Sequence, residues 1–342
     1  MEYEEVIVRR GSRGRVPMII AVHSRALGPA VGGVRLRRYP GWRDGLEDAL
    51  RLSKAMTFKC AAADLPFGGG KTVLALDRAT PLTPEFRQAI LDDLGEFIAS
   101  LGGSYIAGPD VGTGPADMAV LRRHTPHAFC LPENVGGTGS SSGPTARGVL
   151  AALRAGMRHV FGSADLSGRT VLISGLGSVG ALIAEGVHGA RILVSDVDDT
   201  KREQANENGY EWVDPAQVLT TPADVLVPAA VGGVFGPDTI DRLKVPLIVG
   251  PANNQLTDDS VAELLAAREI TWIPDFVASA GGVIYTLGRE IERLDHQAAT
   301  ARVDAIESTV DRILKAPGTP LAAAMSLATE RIHPRTKETT RA

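Results

Sequence analysis

Lys59 and Lys71 stand twelve residues apart, in Met56-Thr57-Phe58-Lys59 and Gly68-Gly69-Gly70-Lys71-Thr72. A lysine in a glycine-rich loop between β-type residues has no packing reason to be there, whereas Arg51 and Lys54 just upstream are readily solvent-facing. Ammonium groups held close together lower one another's pKa, and burial lowers it further, so one of the two can be partly neutral while the other stays charged. Such a pair suits a small organic anion. Asp110, in Gly108-Pro109-Asp110, follows a short β-type run, and the carboxyl end of a strand is where α/β folds bind ligands. Its carboxylate could carry a proton to or from an amine.

A second group points to a cofactor. Gly175-Leu176-Gly177-Ser178-Val179-Gly180 follows the apolar run Val171-Leu172-Ile173-Ser174 and opens a helical pattern. In that context Gly175 permits a tight turn, Gly177 lets backbone approach a pyrophosphate at the helix N-terminus, and Gly180 lets helix pack on strand. The run Arg191-Ile192-Leu193-Val194-Ser195 ends at Asp196, 19 residues beyond Gly177. A carboxylate there accepts hydrogen bonds from ribose hydroxyls and repels a 2′-phosphate, which favours NAD over NADP. Gly70-Lys71-Thr72 also has the ending of a nucleoside triphosphate loop. The earlier glycine of that motif would fall on Leu65, and Val73-Leu74-Ala75-Leu76 reads as strand where a helix is required, so that reading fails.

These groups need elements to hold them. Glu5-Val6-Ile7-Val8 and Met18-Ile19-Ile20-Ala21-Val22 read as strands. Thr83 before Pro84 starts a helix in which Phe86, Ile90, Leu94, Phe97, Ile98 and Leu101 recur at helical spacing until Gly102-Gly103 stops it. Residues 104–107 then form the strand leading to Asp110. Residues 134–144 are mostly turn formers with little to bury, which places a domain junction there. Beyond it comes a helix with Val149, Leu150, Leu153, Met157 and Val160 on one face. Apolar runs at 224–227, 246–249 and 270–273 read as buried parallel strands. After Gly281-Gly282 the pattern is helical, and residues 336–342 are expected to fray.

A length of 342 residues suits two domains, and 44% hydrophobic with 22% charged residues is a globular composition. A net charge of -4 gives no electrostatic footprint for nucleic acid, and the arginines at 9, 10, 13 and 15 read as a solvated face. The chain shows neither an apolar run long enough for a membrane span nor a secretory leader, so a soluble, cytoplasmic protein is expected. Cys60 and Cys130 are too few for a disulfide framework. His124 and His127 lack the company of a metal site, so no metal is expected.

The chain also carries, in order, Leu27-Gly28-Pro29-Ala30-Val31-Gly32-Gly33-Val34-Arg35, Met56-Thr57-Phe58-Lys59, Pro66-Phe67-Gly68-Gly69-Gly70-Lys71-Thr72, Gly108-Pro109-Asp110-Val111, Gly250-Pro251-Ala252-Asn253-Asn254-Gln255-Leu256 and Asp275-Phe276-Val277-Ala278-Ser279-Ala280-Gly281-Gly282. With these strings it resembles, over nearly its whole length, the amino acid dehydrogenases for glutamate, leucine, phenylalanine and valine, most of all their branched-chain and aromatic members. The resemblance implies an α/β protein of two domains flanking a cleft, the second a Rossmann-type doubly wound sheet. Residues 1–134, completed by C-terminal helices in 281–342, would bind substrate and oligomerise, and residues 135–280 would bind NAD. It implies NAD-dependent oxidative deamination of an apolar L-amino acid to its 2-oxo acid and ammonia, and the reverse, by a homo-oligomer of two or more chains with no nucleic-acid or membrane partner.

Roles follow from the same resemblance. Lys59 would bind the substrate carboxylate, helped by the backbone of Gly32 and Gly33 and flanked by Met56. Lys71 would polarise the oxo group or activate water, and Asp110 would move protons at the amino nitrogen. Thr145 would lie near the nicotinamide and Asn253 near ribose and substrate, beside Gly175, Gly177, Ser178, Val179, Gly180 and Asp196. Val31, Gly108, Val283 and Thr286 would line a small, mostly apolar side-chain pocket with nothing to hold a second carboxylate, which disfavours glutamate. Ser279 in place of asparagine, Thr286 in place of an aliphatic residue, Pro251 and a slightly shorter helix after the fingerprint depart from the pattern. They leave open a reductase or dehydrogenase of an unusual amino acid or imine in biosynthesis, or a catalytically silent NAD or amino acid sensor. The presence of Lys59, Lys71 and Asp110 argues against the last.

Overall fold

Branched apolar residues build the strands β1 (Glu5–Arg10), β2 (Pro17–Ser24) and β3 (Ala30–Arg38) in the computed structural model, which describes residues 2–333. The helix α1 (Trp42–Ala62), strand β4 (Gly68–Leu76), helix α2 (Pro84–Ala99), strand β5 (Tyr105–Pro109) and helix α3 (Pro115–Arg122) follow. As expected, the Thr83 hydroxyl caps α2 by accepting from the Phe86 amide. The sheet order is β1-β2-β4-β3-β5, with β1, β2 and β4 antiparallel in turn and β3 parallel to β4 and β5. Leu94, Ile98, Met118 and Leu121 of α2 and α3 bury one sheet face with Leu74 and Tyr105, while α1 covers Ile19, Ala21, Val73 and Ala75 on the other.

Two readings are corrected here. Lys71 lies inside β4 and not in a loop, and residues 30–38, unassigned from sequence, form the strand next to it. Glycine-rich segments make strands here because neighbours press in closely: a Cβ at Gly70 would meet the Tyr105 ring at 2.8 Å. The arginines at 9, 10, 13 and 15 are exposed, as expected, and the backbone and guanidinium of Arg13 in addition hold the buried Asp93.

The second unit opens with α4 (Ser142–Phe161), β6 (Thr170–Ser174), α5 (Ser178–Gly186), β7 (Arg191–Ser195), α6 (Lys201–Glu207), β8 (Glu211–Trp212) and β9 (Val225–Pro228). After it come α7 (Pro237–Ile240), β10 (Leu247–Ile248), α8 (Val261–Ala267), β11 (Thr271–Trp272), α9 (Asp275–Ala278), α10 (Gly281–Glu290), α11 (His296–Asp304), α12 (Ile306–Lys315) and α13 (Pro320–Ile332). Its parallel sheet runs β11-β10-β9-β6-β7-β8, the strand order of a Rossmann-type doubly wound fold, with the switch point between β6 and β9. Ligands bind such sheets outside the carboxyl ends of the strands at that point.

The chain divides after Ser140 rather than at 134. Among the helices after 281, expected to complete the first unit, residues 286–294 and 328–333 cluster with it, but 295–327 cluster with the second. There they meet α4 through buried Val303, Ile306, Val310 and Ile313 and through a row of arginines on α4: Arg147 pairs with Asp304, Arg154 with Glu307 and Arg158 with both Glu307 and Asp311. Residues 336–342, expected to fray, lie outside the described residues. Among the described residues, no helix is long and apolar enough to cross a membrane and no group of three or more His, Cys, Asp or Glu could hold a metal.

Candidate active site

The first unit gathers its chemistry on the sheet face that α1 covers. Side chains alternate along β4, so Lys71 shares this face with Gly69 and with Val73, which packs in the α1 cluster. A Cβ at Gly69 would collide with the Thr57 amide, so α1 presses on β4 at the turn that carries Met56 and Lys59, both half-buried. Asp110 follows β5, and its Oδ2 lies 2.7 Å from Lys71 Nζ. Gly33 sits between the two: a Cβ there would meet the Asp110 Cβ at 2.7 Å and Lys71 Nζ at 3.1 Å. Gly32 points the other way, toward the backbone of Gly70, and its carbonyl accepts from the Tyr105 hydroxyl. The Thr113 hydroxyl accepts from the Asp110 amide at 3.0 Å and donates to the Val34 carbonyl, which fixes the turn that presents the carboxylate.

Sequence reasoning missed the partner of this pair. Arg35 on β3, two residues beyond Gly33, donates through Nε to the same Asp110 oxygen at 2.9 Å and through Nη1 to Asp48 Oδ2 on α1 at 2.9 Å. Tyr39 Oη and Arg51 Nη2 also donate to Asp48. Burial pushes the Lys71 ammonium below its ordinary pKa, with Asp110 opposing and Arg35 adding to the effect. Burial alone would raise Asp110, yet Lys71 and Arg35 outweigh it and hold the carboxyl below its usual range. A lysine inclined to give up its proton beside a carboxylate held ionised is an acid–base pair suited to chemistry at a carbonyl or imine carbon.

Val31 is fully buried on the same face of β3 as Gly33. Gly108, expected to line the side-chain pocket, has the Phe129 ring where a Cβ would stand. Phe129 is thus a neighbour of Gly108 that sequence reasoning passed over. Val283 and Thr286 lie on α10, the latter 1% exposed. Ser279 is buried at the end of α9, and Pro251 is buried ahead of the turn.

In the second unit the fingerprint residues take the geometry their spacing requires. Gly175 adopts φ +112, a left-handed region that disfavours side chains, with the backbone of Ala229 and Ala230 within 2.8 Å of where a Cβ would stand. Gly177 caps α5 with open space before it, and a Cβ at Gly180 would strike the Gly175 carbonyl. Ser178 and Val179 begin α5, and the Ser142 hydroxyl donates to Ser178 Oγ at 3.0 Å, which brings the first turn of α4, with Thr145, beside the fingerprint. This backbone can receive a dinucleotide pyrophosphate.

Asp196 follows β7 and accepts from the Leu176 amide at 2.7 Å, the Asp198 amide at 3.0 Å and Lys201 Nζ at 2.8 Å. Burial would raise its pKa, but Lys201 and the amides dominate and keep it ionised. Asn253 lies in an exposed turn, followed by Asn254 at φ +53. The turn is held by Gln255, fully buried, which donates to the carbonyls of Gly250 and Ala252 and accepts from the Trp272 indole at 2.9 Å.

Known proteins resemble this chain over most of its length. Residues 5–127 match the family description "Glu/Leu/Phe/Val dehydrogenase, dimerisation domain", and residues 194–331 match "Glutamate/Leucine/Phenylalanine/Valine dehydrogenase". A phenylalanine dehydrogenase from Caldalkalibacillus thermarum is 40% identical over 83% of this chain and 78% of its own length. A leucine dehydrogenase from Thermoactinomyces intermedius is 34% identical over 92% of this chain and 84% of its own. Among solved structures, the L-tryptophan dehydrogenase of Nostoc punctiforme superposes with a TM-score of 0.82 at 32% identity, covering 97% of this chain and 96% of that one.

Proposed function

The chain belongs to the glutamate/leucine/phenylalanine/valine dehydrogenase family and is an amino acid dehydrogenase, and we propose that it deaminates an apolar, aliphatic or aromatic L-amino acid with NAD. The products are the 2-oxo acid and ammonia, and the reverse reaction is reductive amination. The observation that carries this reading is the 2.7 Å contact between Lys71 and Asp110 beside Gly33. A bound nicotinamide supplies the hydride acceptor. The chain's own residues do the rest: Lys59 pairs with the substrate carboxylate, and neutral Lys71 takes a proton from the water that adds to the imine carbon. Asp110 exchanges protons with the nitrogen, which leaves as ammonia.

The apolar preference is supported by the relatives named for phenylalanine, leucine and tryptophan, and by Val31 and Phe129, which offer no partner for a second carboxylate. Following NADH consumption with ammonia and a panel of 2-oxo acids tests it. Turnover is expected with aliphatic or aromatic acids and not with 2-oxoglutarate. Silence with every acid would favour a sensor, and consumption without ammonia would favour a reductase.

NAD over NADP rests on Asp196. In Asp196→Ala, a ribose partner is lost and Lys201 no longer has its carboxylate, so NAD should weaken about tenfold or more while NADP gains relative to NAD. Steady-state constants for both cofactors check this, and an unaltered preference would assign the ribose to another group.

A homo-oligomer is supported by the dimerisation description of the first unit and by the edge strand β1, where Val6 and Val8 are each 42% exposed. Sedimentation velocity yielding a monomer at micromolar concentration would refute it. Burial pushes the thiols of Cys60 and Cys130 up to about 12 and 11, so both are held as thiols near neutral pH.

A further inference from the structure

We propose that Arg35 is a positioning residue: its guanidinium ties the Asp110 carboxylate to Asp48 on α1, so that Asp110 meets Lys71 from one fixed direction and in one ionic form. The inference rests on the catalytic reading of Lys71 and Asp110 given above and assigns what holds that pair.

Asp110 lies past the end of β5 with 22% of its side chain exposed, so Lys71 alone would leave the carboxylate able to turn toward water. Arg35 removes that freedom. Its side chain is 13% exposed, and its planar fork spans two carboxylates, Asp110 Oδ2 and Asp48 Oδ2, each at 2.9 Å. The far end is itself anchored, because Asp48 also accepts from Tyr39 at 2.7 Å and Arg51 at 2.8 Å. Lysine, a compact point charge on a flexible stem, lacks the planar fork that fixes both carboxylates in one geometry. The ionisable groups around the pair are Arg35 from β3, Asp48, Arg51 and Tyr39 linked through Arg35, and Tyr105 from β5, whose hydroxyl is engaged by Thr72 and Gly32 on the opposite sheet face. Arg35 therefore places a permanent positive charge against both members of the pair. Removing that charge favours the protonated form of each, so their ionisations move to higher pH.

The test compares Arg35→Met and Arg35→Lys with the parent enzyme. It reads kcat and KM against pH, and also the pH dependence of Lys71 acylation by acetic anhydride, followed by peptide mass spectrometry. Arg35→Met should lose about 100-fold in kcat with little change in KM. Its acid limb and its Lys71 acylation midpoint should both rise by about one pH unit. Arg35→Lys should restore the midpoint but only part of kcat. If Arg35→Met fails to fold, Asp48→Ala, which removes the acceptor at the far end of the fork and leaves the Arg35 charge in place, should lower kcat without raising the midpoint. An unmoved midpoint in Arg35→Met, full recovery of kcat in Arg35→Lys, or unchanged kcat in Asp48→Ala would each overturn the assignment. Lack of turnover in the parent enzyme would sink the proposed function, while the acylation midpoint, which needs no turnover, would still decide whether Arg35 controls the pair.

Discussion

Lys71→Ala should lower kcat by about a thousandfold while leaving the affinity for NAD unchanged. The side chain is 7% exposed and its ammonium pairs with Asp110, so no solvent role competes with a chemical one. The dinucleotide fingerprint belongs to the other unit, so a loss confined to kcat is the signature of an acid–base group. Asp110 keeps Arg35 in this variant, which spares the fold the cost of an unpaired buried carboxylate. NADH formation under saturating substrate gives kcat, fluorescence titration gives NAD affinity, and a thermal melt guards against unfolding. Parent-like turnover would remove Lys71 from the mechanism.

Asp110→Asn should cost about 100-fold or more, with a shift opposite in sign to that of Arg35→Met. Burial lowers the lysine pKa and Asp110 is the main group opposing it, so removing the anion lets Lys71 deprotonate at lower pH. The acid limb of the kcat profile should therefore move to more acidic pH as its height falls. An immobile limb would mean that the carboxylate does not govern Lys71. Stability follows from the same ionisation. The folded pKa of Asp110 is depressed, so its ionised form stabilises the fold above the ordinary carboxylate range, and that contribution is lost as pH falls through the folded value. Parent-enzyme melting temperature should thus decline more steeply on acidification than that of Asp110→Asn.

The second unit was legible wherever a local rule was decisive. Gly175 answers to its own positive φ and Gly180 to the Gly175 carbonyl beside it, and the spacing to Asp196 follows from one further strand. Thr83 and the apolar stripe of α2 are equally local. The sheet of the first unit was less so. Residues 30–38 and 68–70 become strands because Tyr105, Thr57 and one another's backbones press on them, and no propensity of glycine foretells that. The Arg35 fork joins residues 13 and 75 positions away, a distance no periodicity spans. Only the Gly33-Val34-Arg35 alternation, which puts the arginine on the same strand face as Gly33, could have hinted at it. Helices α11 and α12 went to the wrong unit because arginines at 147, 154 and 158 look solvated until their acidic partners are seen.

The contact between Trp272 and Gln255 gives the nucleotide unit an optical gauge of its own. An indole that is 4% exposed and bonded to a buried amide emits toward the blue, and its amide partner is the residue that holds the turn bearing Asn253. Any ligand that draws on this turn changes the polarity around that ring, so titrating a dinucleotide into the protein should alter a tryptophan signal that arises within the nucleotide unit itself. Loss of that response in Gln255→Leu, with the signals of Trp42 and Trp212 as internal references, would separate loosening of the turn from events at Lys71.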